Sequence, residues 1–553
     1  MEDKKDKKRP RPKDDEEEDN DDIEMKKEKQ NDDDDGLYEN EDSYESVEDN
    51  EINENDLDDI KGEIKIKTKE KSKEKEDKNK IKVNLWDEKK NNKLKEGEIL
   101  DFDNDAYEML HRCKVEWPCL SVDFLLKENS SLSSLKEFYL PNDKRKMIED
   151  KYPYSTYIIS GSQTDEKNGY FYFMKWYNMR KTKYDDDSEK GDDDDNEEDE
   201  DEDKINPFMK YEKIKVNGNI NRVKSMRNSS ICALWNDSPS VDIIDCEELF
   251  NNIEYQDEIK VENDDENINN FNKNKKKKKD IKYKKIFKKS LPQKAEGFAI
   301  DWNNITPFVL AVGGYDKKIS IYKPKDENIS DIILYGDYLS GHTDSVEDIQ
   351  WSPNEENVLA SCGIDRSIRF WDVRQDSKNP PKIIKDAHTS DVNVISWNTV
   401  RNHLFASGGD DNTFKVWDLR YITEPPITEI KWHTGPINSI MWDPFDESQL
   451  AVCSEDNRLS VWDFSVEPDE KKLFDNYNNE IPQQLVFLHQ GQINLKDVKF
   501  HPVFKNMLIS SAENGLNLFR PNFTDEASED DNDEDDKMEE DDYKIEEKKE
   551  DEK

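Results

Sequence analysis

Three histidines stand at one fixed distance from three aspartates, and chemistry is to be sought there first. His342 lies 23 residues before Asp365, and His388 and His433 keep the same interval to Asp411 and Asp456. A histidine held by an aspartate is the general-base half of a nucleophilic triad. Six residues after each aspartate comes a Trp-Asp pair, opening at Trp371, Trp417 and Trp462. An active site occurs once in a chain, however, and this set recurs at steps of 46 and 45 residues. Repetition favours a structural role: a buried His donates to the Asp carboxylate, while the Trp N–H and a strand Ser or Thr complete a satisfied network. Ser361 and Ser407, four residues before their Asp, suit the last place; the third repeat has Val452 there.

The elements that hold these residues follow from the period. Segments 341–374, 387–420 and 432–465 align without a gap, with Trp351, Trp397 and Trp442 nine residues after each His. A period of about 40–45 residues with a Gly-His-like start and a Trp-Asp end predicts one four-stranded propeller blade per repeat. The spacing places the His in the loop before the innermost strand, the Asp in a tight turn and the Trp in the strand after it. Degenerate copies without the histidine lie at 120–177, 220–245 and 298–322, and a last one follows His489. The expected fold is therefore all-β, a seven-bladed WD-repeat propeller over residues 99–522. A propeller must close, so the last blade should borrow a strand from the other end, from residues the sequence leaves open. Before the first blade, Tyr107 and Leu110 lie at i and i+3, which suits a short N-terminal amphipathic helix.

Outside the repeats the composition changes. Of the net charge of −48, segment 14–59 carries −22, segment 181–204 carries −11 and segment 525–553 carries −13. The remainder is close to neutral. We expect disordered arms at 1–98 and 523–553 and low-complexity insertions at 181–204 and 251–290. The basic run Lys4–Lys13 suits nuclear import, and Lys273–Lys289, with eleven lysines and one acid, suits import or an RNA phosphate contact. Six scattered cysteines without CxxC spacing read as reduced, buried thiols, the N-terminus has no apolar signal core, and no apolar run reaches a membrane span. A soluble, monomeric protein without metal, cofactor, small-molecule substrate or membrane contact is expected. With no Gly-rich phosphate loop, zinc spacing or nucleophile elbow, the chain is expected not to be an enzyme.

Several strings go further than a generic propeller: AYEMLHRCKVEWPCLSVDF (106–124), SVEDIQWSP (345–353), GGDDNTFKVWDLR (408–420) and PQQLVFLHQGQINLKDVKFHP (482–502). In these the chain resembles the glutamate-rich WD-repeat proteins, ribosome-biogenesis factors related to the histone-binding WD proteins of chromatin complexes. The resemblance implies a nuclear and nucleolar, non-catalytic escort of a basic client: large-subunit ribosomal protein number three, with a pre-ribosomal particle in reach, or alternatively a histone. Polyanionic arms suit such a client and compete with nucleic acid for it. By likeness to the histone-binding branch, one client groove would lie between the helix bearing Asp105, Tyr107, Glu108 and Leu110 and the loop bearing Asp469, Glu470, Phe474 and Asp475. A second candidate surface is the open face around Asp344, Glu347 and Asp391. A further alternative, a receptor for a cullin-type ubiquitin ligase, rests on the Trp-Asp-x-Arg boxes ending at Arg374 and Arg420.

Overall fold

The computed structural model describes residues 80–82, 106–126, 152–182, 207–254, 288–325, 331–375, 382–467, 472–475 and 479–523. Its strands form seven antiparallel blades arranged as a closed ring. Blade 1 comprises Cys119–Phe124, Tyr154–Ser162, Tyr170–Met179 and Phe208–Lys215, from the centre outward. Blade 2 comprises Ile220–Ser225, Ile231–Asn236, Ser240–Asp245 and Lys288–Pro292. Blade 3 starts at Ala299–Trp302, blade 4 at Val346–Trp351, blade 5 at Val392–Trp397, blade 6 at Ile437–Trp442 and blade 7 at Asp497–Phe500. Alternating residues on each strand face the two neighbouring blades, and the core is accordingly seven apolar clusters, each filling the space between two blades.

Side chains on the innermost strands tie each blade to the next. Asp123 accepts from the Ser225 amide at 2.8 Å, Asp301 from Trp351 at 2.8 Å, Asp348 from Ile395 at 3.1 Å and Gln350 from Trp397 at 2.7 Å. Ser396 accepts from Trp442 at 3.2 Å and Ser439 from Val498 at 3.3 Å, while Asp497 on blade 7 accepts from Val122 on blade 1 at 3.2 Å. The ring is thus joined by hydrogen bonds as well as by apolar packing.

The ring is closed by a strand from the start of the described chain. The first strand, β1, is Lys80–Lys82 and the second, β2, is Tyr107–Cys113; β2 is the outermost strand of blade 7, antiparallel to Gly515–Pro521. The short helix expected there is absent: residues 107–113 are extended. A β-bulge between Tyr107 and Met109 explains the misleading spacing. It shifts the alternation by one residue, so Tyr107 and Leu110 face the same side of the strand and both pack between blades 6 and 7, as i, i+3 residues of a helix would. Among the described residues the α-helix lies instead at 247–254, where Leu249, Phe250 and Ile253 pack on the cluster between blades 1 and 2. The expected insertion 251–290 is therefore structured at both ends, with Lys288 and Lys289 in the outer strand of blade 2. The segments 14–59, Lys4–Lys13 and 525–553, and nearly all of 181–204, lie outside the described residues. All six cysteines are free, and burial pushes the Cys119 thiol up to about 12.

Candidate functional site

In blades 4, 5 and 6 the loop bearing the histidine meets the turn bearing the aspartate at one end of the blade. His342 Nδ1 lies 3.0 Å from Asp365, His388 Nδ1 3.0 Å from Asp411 and His433 Nδ1 3.0 Å from Asp456. On the other ring nitrogen, His342 meets Ser361 Oγ at 2.7 Å and His388 meets Ser407 Oγ at 2.8 Å; Trp371 and Trp417 donate to the same hydroxyls. The acceptor in blade 6 is one the spacing did not reveal. Ser460 Oγ lies 2.8 Å from His433 Nε2 and accepts from Trp462 at 2.8 Å. Ser460 is the direct cross-strand partner of Val452, so the hydroxyl has moved to the facing strand without leaving its place in space. Burial alone would raise the Asp365 carboxyl, but hydrogen bonds from His342, Ser367 and the Thr343 amide hold it well below the usual range. Asp411 is held low in the same way. These sets are filled by their own members, and no hydroxyl in them is left pointing at solvent as a nucleophile.

The same end of the ring bears a different group of side chains at the mouth of the central channel. The first strands of blades 1, 2, 4, 5 and 6 each begin with a β-bulge, and the bulged residues are Leu120, Asn221, Glu347, Asn393 and Asn438. All five line one cavity of about 260 Å³, with Arg222, Phe298, Lys496 and Asp497. A bulge re-aims the side chain it carries, and here five of them turn inward on a common opening. Asn393 donates to Asp410 at 2.6 Å, and the Glu347 Oε1 is buried without a hydrogen-bond partner among the described residues.

Acids crowd around that opening. Burial raises the Glu347 carboxyl, and Asp391 and Asp348 add to the shift against Arg222. Partial burial raises Asp391 as well, followed by Asp410 and Asp344. Beside them lie Phe298 and Tyr315, with ring centroids 6.2 Å apart and Tyr315 42% exposed. Carboxylates that resist ionising beside exposed aromatic rings suit a Lys or Arg side chain, which relieves the repulsion and stacks on a ring. Asp344, Glu347 and Asp391 were legible in the sequence. Asp410 and Tyr315 were not, although each directly precedes its blade's turn aspartate (Asp411, Asp316) and so shares one position of the repeat. At the other channel mouth the charges are matched, Lys224 to Asp301 at 3.2 Å and Arg222 to Asp348 at 3.7 Å.

The other expected groove is not built as anticipated. Asp105, Asp469 and Glu470 lie outside the described residues. Tyr107 is 6% exposed, its hydroxyl 2.6 Å from His489 Nδ1, and Leu110 packs in the same cluster, so both belong to the core of blade 7. Glu108 holds Arg520 at 3.1 Å and Lys181 at 3.3 Å. Phe474 and Asp475 lie in the hairpin between blades 6 and 7, where Asp475 accepts from the Asn479 amide at 2.7 Å and Phe474 is buried. Arg374 and Arg420, the ends of the Trp-Asp-x-Arg boxes, are exposed, and each guanidinium forks onto the aspartate of its own turn, Asp372 or Asp418. Among the described residues no cluster of His, Cys, Asp and Glu could hold a metal ion, and no helix is long and apolar enough to cross a membrane.

Comparison with known proteins places this geometry. Residues 97–180 match the family model for histone-binding protein RBBP4 and the corresponding component of the CAF1 complex, and 336–372, 380–418 and 424–463 match the WD domain, G-beta repeat. The glutamate-rich WD repeat-containing protein 1 of Dictyostelium discoideum is 43% identical over 449 residues, covering 78% of this chain and 84% of the relative. Protein HEAT STRESS TOLERANT DWD 1 of Arabidopsis thaliana is 34% identical, covering 77% of this chain and 89% of the relative. The ribosome assembly protein rrb1 of Schizosaccharomyces pombe is 30% identical, covering 77% and 83%.

Proposed function

This chain belongs to the glutamate-rich WD-repeat protein family, and we propose that it is a non-catalytic escort of a basic protein client in assembly of the large ribosomal subunit, working in the nucleus and nucleolus. A WD-repeat scaffold of this kind works by its faces rather than by chemistry. The observation that carries the reading is the channel mouth, where Glu347, Asp391, Asp410 and Asp344 repel one another beside Phe298 and Tyr315. A basic tail laid across that face would seat a Lys or Arg at the opening. The acidic arms raise its local concentration over roughly one Debye length, about 8 Å at physiological salt. The client favoured is large-subunit ribosomal protein number three, delivered to a pre-ribosomal particle. The match of residues 97–180 to the histone-binding family model supports a second reading, in which the client is a histone.

Binding of purified large-subunit ribosomal protein number three and of core histones to the full chain at moderate salt decides between them. The double variant Glu347→Gln, Asp391→Asn should weaken binding of the preferred client about tenfold or more, which is the loss of one desolvated charge contact. Capture of core histones with no affinity for the ribosomal protein rejects the first reading. Unchanged affinity of the double variant rejects the face.

A further inference from the structure

A small sheet stands apart from the seven blades. The chain between blades 6 and 7 forms a hairpin of Lys472–Phe474 and Glu480–Ile481, with Leu473 opposite Ile481 and Phe474 opposite Glu480. Lys472 reaches Glu480 at 2.9 Å, and Asp475 caps the turn through Asn479. Phe474 and Ile481 are buried. Such a short hairpin is marginal by itself. Its third strand is β1, which runs parallel to the first hairpin strand, Lys80 opposite Lys472, Ile81 opposite Leu473 and Lys82 opposite Phe474.

The source of that third strand is informative. It does not come from the propeller but from an arm rich in Lys and Glu, 24 residues ahead of β2. The sequence there, Lys80-Ile81-Lys82-Val83, alternates a basic residue with a β-branched one, which favours an extended strand and carries positive charge. A three-residue parallel pairing holds few hydrogen bonds, each of modest net strength, so the place is exchangeable. Strand addition at an open sheet edge is a general way to hold an extended peptide, with main-chain bonds supplying affinity and alternate side chains specificity.

We propose that the outer edge of Lys472–Phe474 is a strand-addition site for an extended basic segment of the client, and that the chain's own Lys80–Lys82 occupies it until the client displaces it. The proposal rests on the escort reading and deepens it: the segment taken at this site alternates Lys or Arg with Ile or Val and runs parallel to residues 472–474. The self-occupied edge keeps the site covered in the absence of client and gives any arriving segment a competitor to exceed. A tethered competitor raises the apparent dissociation constant by its occupancy of the site.

The test uses the full chain and two synthetic twelve-residue peptides of equal charge, one alternating Lys with Ile and Val, the other with prolines in place of the β-branched residues. Ile81→Pro lies outside the blades, removes an amide donor from β1 and should leave the thermal transition of the propeller unchanged. It is expected to bind the alternating peptide about tenfold more tightly than the parent. Amide hydrogen exchange at residues 472–474 should quicken in the variant and slow again when that peptide is added. The idea is overturned if the variant and parent bind alike with unaltered exchange, if the proline peptide binds as well as the alternating one, or if a doubled mass shows β1 pairing with a second copy. Loss of this effect alone, with client still bound through Glu347 and Asp391, removes the strand site and leaves the escort reading intact. If no basic probe binds anywhere, both fall.

Discussion

Blades 4 to 6 and the seam between blades 7 and 1 solve the same problem in different ways. In blades 4 to 6 each blade is fastened internally, by one His, one Asp, one hydroxyl and one Trp within about 30 residues of chain. At the seam the partners are hundreds of residues apart. Tyr107 reaches His489, Ser121 donates to Asp497 at 3.0 Å, and His501 lies 2.9 Å from Thr156. Burial lowers His489 to about 4 and His501 to about 3, so both stay neutral as partners in hydrogen bonds. The repeated set stabilises a blade, while the unique set holds the ring shut. What breaks one should therefore cost less than what breaks the other.

Asp497 is where the contrast is largest. Its carboxylate is 3% exposed and accepts from Ser121 and Val122 on blade 1, from Ser439 on blade 6 at 2.7 Å and from Lys499 on its own blade. Burial would raise it, but Lys499 and Arg222 hold it below the usual carboxylate range. Asp497→Ala leaves Lys499 buried without its partner and unfastens three blades, and should cost about 3–5 kcal/mol. Asp411→Ala affects one blade and should cost about 2 kcal/mol, the price of leaving His388 and Thr413 unpaired. Urea denaturation of the two variants compares them directly. Equal losses would show that closure is no more demanding than any single blade.

How much of this was legible follows the same division. The His, Asp and Trp of blades 4 to 6 stand at fixed intervals because a blade is a local unit, and local order leaves a period in the chain. The closing strand leaves none. Its partner lies at the far end of the propeller chain, and its bulge imitates the spacing of a helix. The channel-mouth acids were found only in part, because a bulged residue has no signature of its own. Ser460 lies between these cases. Reading one strand alone found Val452 where a hydroxyl was due, whereas reading the cross-strand pair would have found Ser460. Ser460→Ala should cost about 2 kcal/mol by leaving His433 and Trp462 without a partner. Adding Val452→Ser should restore about half of that, since blades 4 and 5 carry their hydroxyl on that strand. A double-mutant cycle in which Val452→Ser worsens the loss would mean the two strands are not interchangeable.

The smallest effect lies at the position after each inner-strand aromatic, where the two regions share one device. Asn303 and Asn398 each accept two amides of the following turn, and their own side-chain N–H donates across to the next blade, to Glu356 and Glu447 carbonyls at 2.7 and 2.9 Å. His501 accepts two amides likewise and meets Thr156 across the seam. Asp443 accepts amides from Phe445 and Asp446, but its second oxygen is buried and has no partner among the described residues. Burial therefore pushes its carboxyl up to about 6 from an ordinary 3.8. An acid raised on folding binds its proton more tightly in the native state, so stability is lost as pH rises from about 4 through 6. Two units set an upper bound of about 3 kcal/mol on that loss. Asp443→Asn keeps the acceptor, removes the charge and supplies the donor that blades 3 and 5 use. We expect about 1 kcal/mol of added stability at pH 8, shrinking to nothing below pH 4, because an amide not perfectly placed gives back part of the gain. Thermal unfolding of parent and variant across that pH range measures it. A pH-independent difference would mean that shape rather than charge distinguishes Asp443, and that blade 6 meets the seam on the same terms as the blades before it.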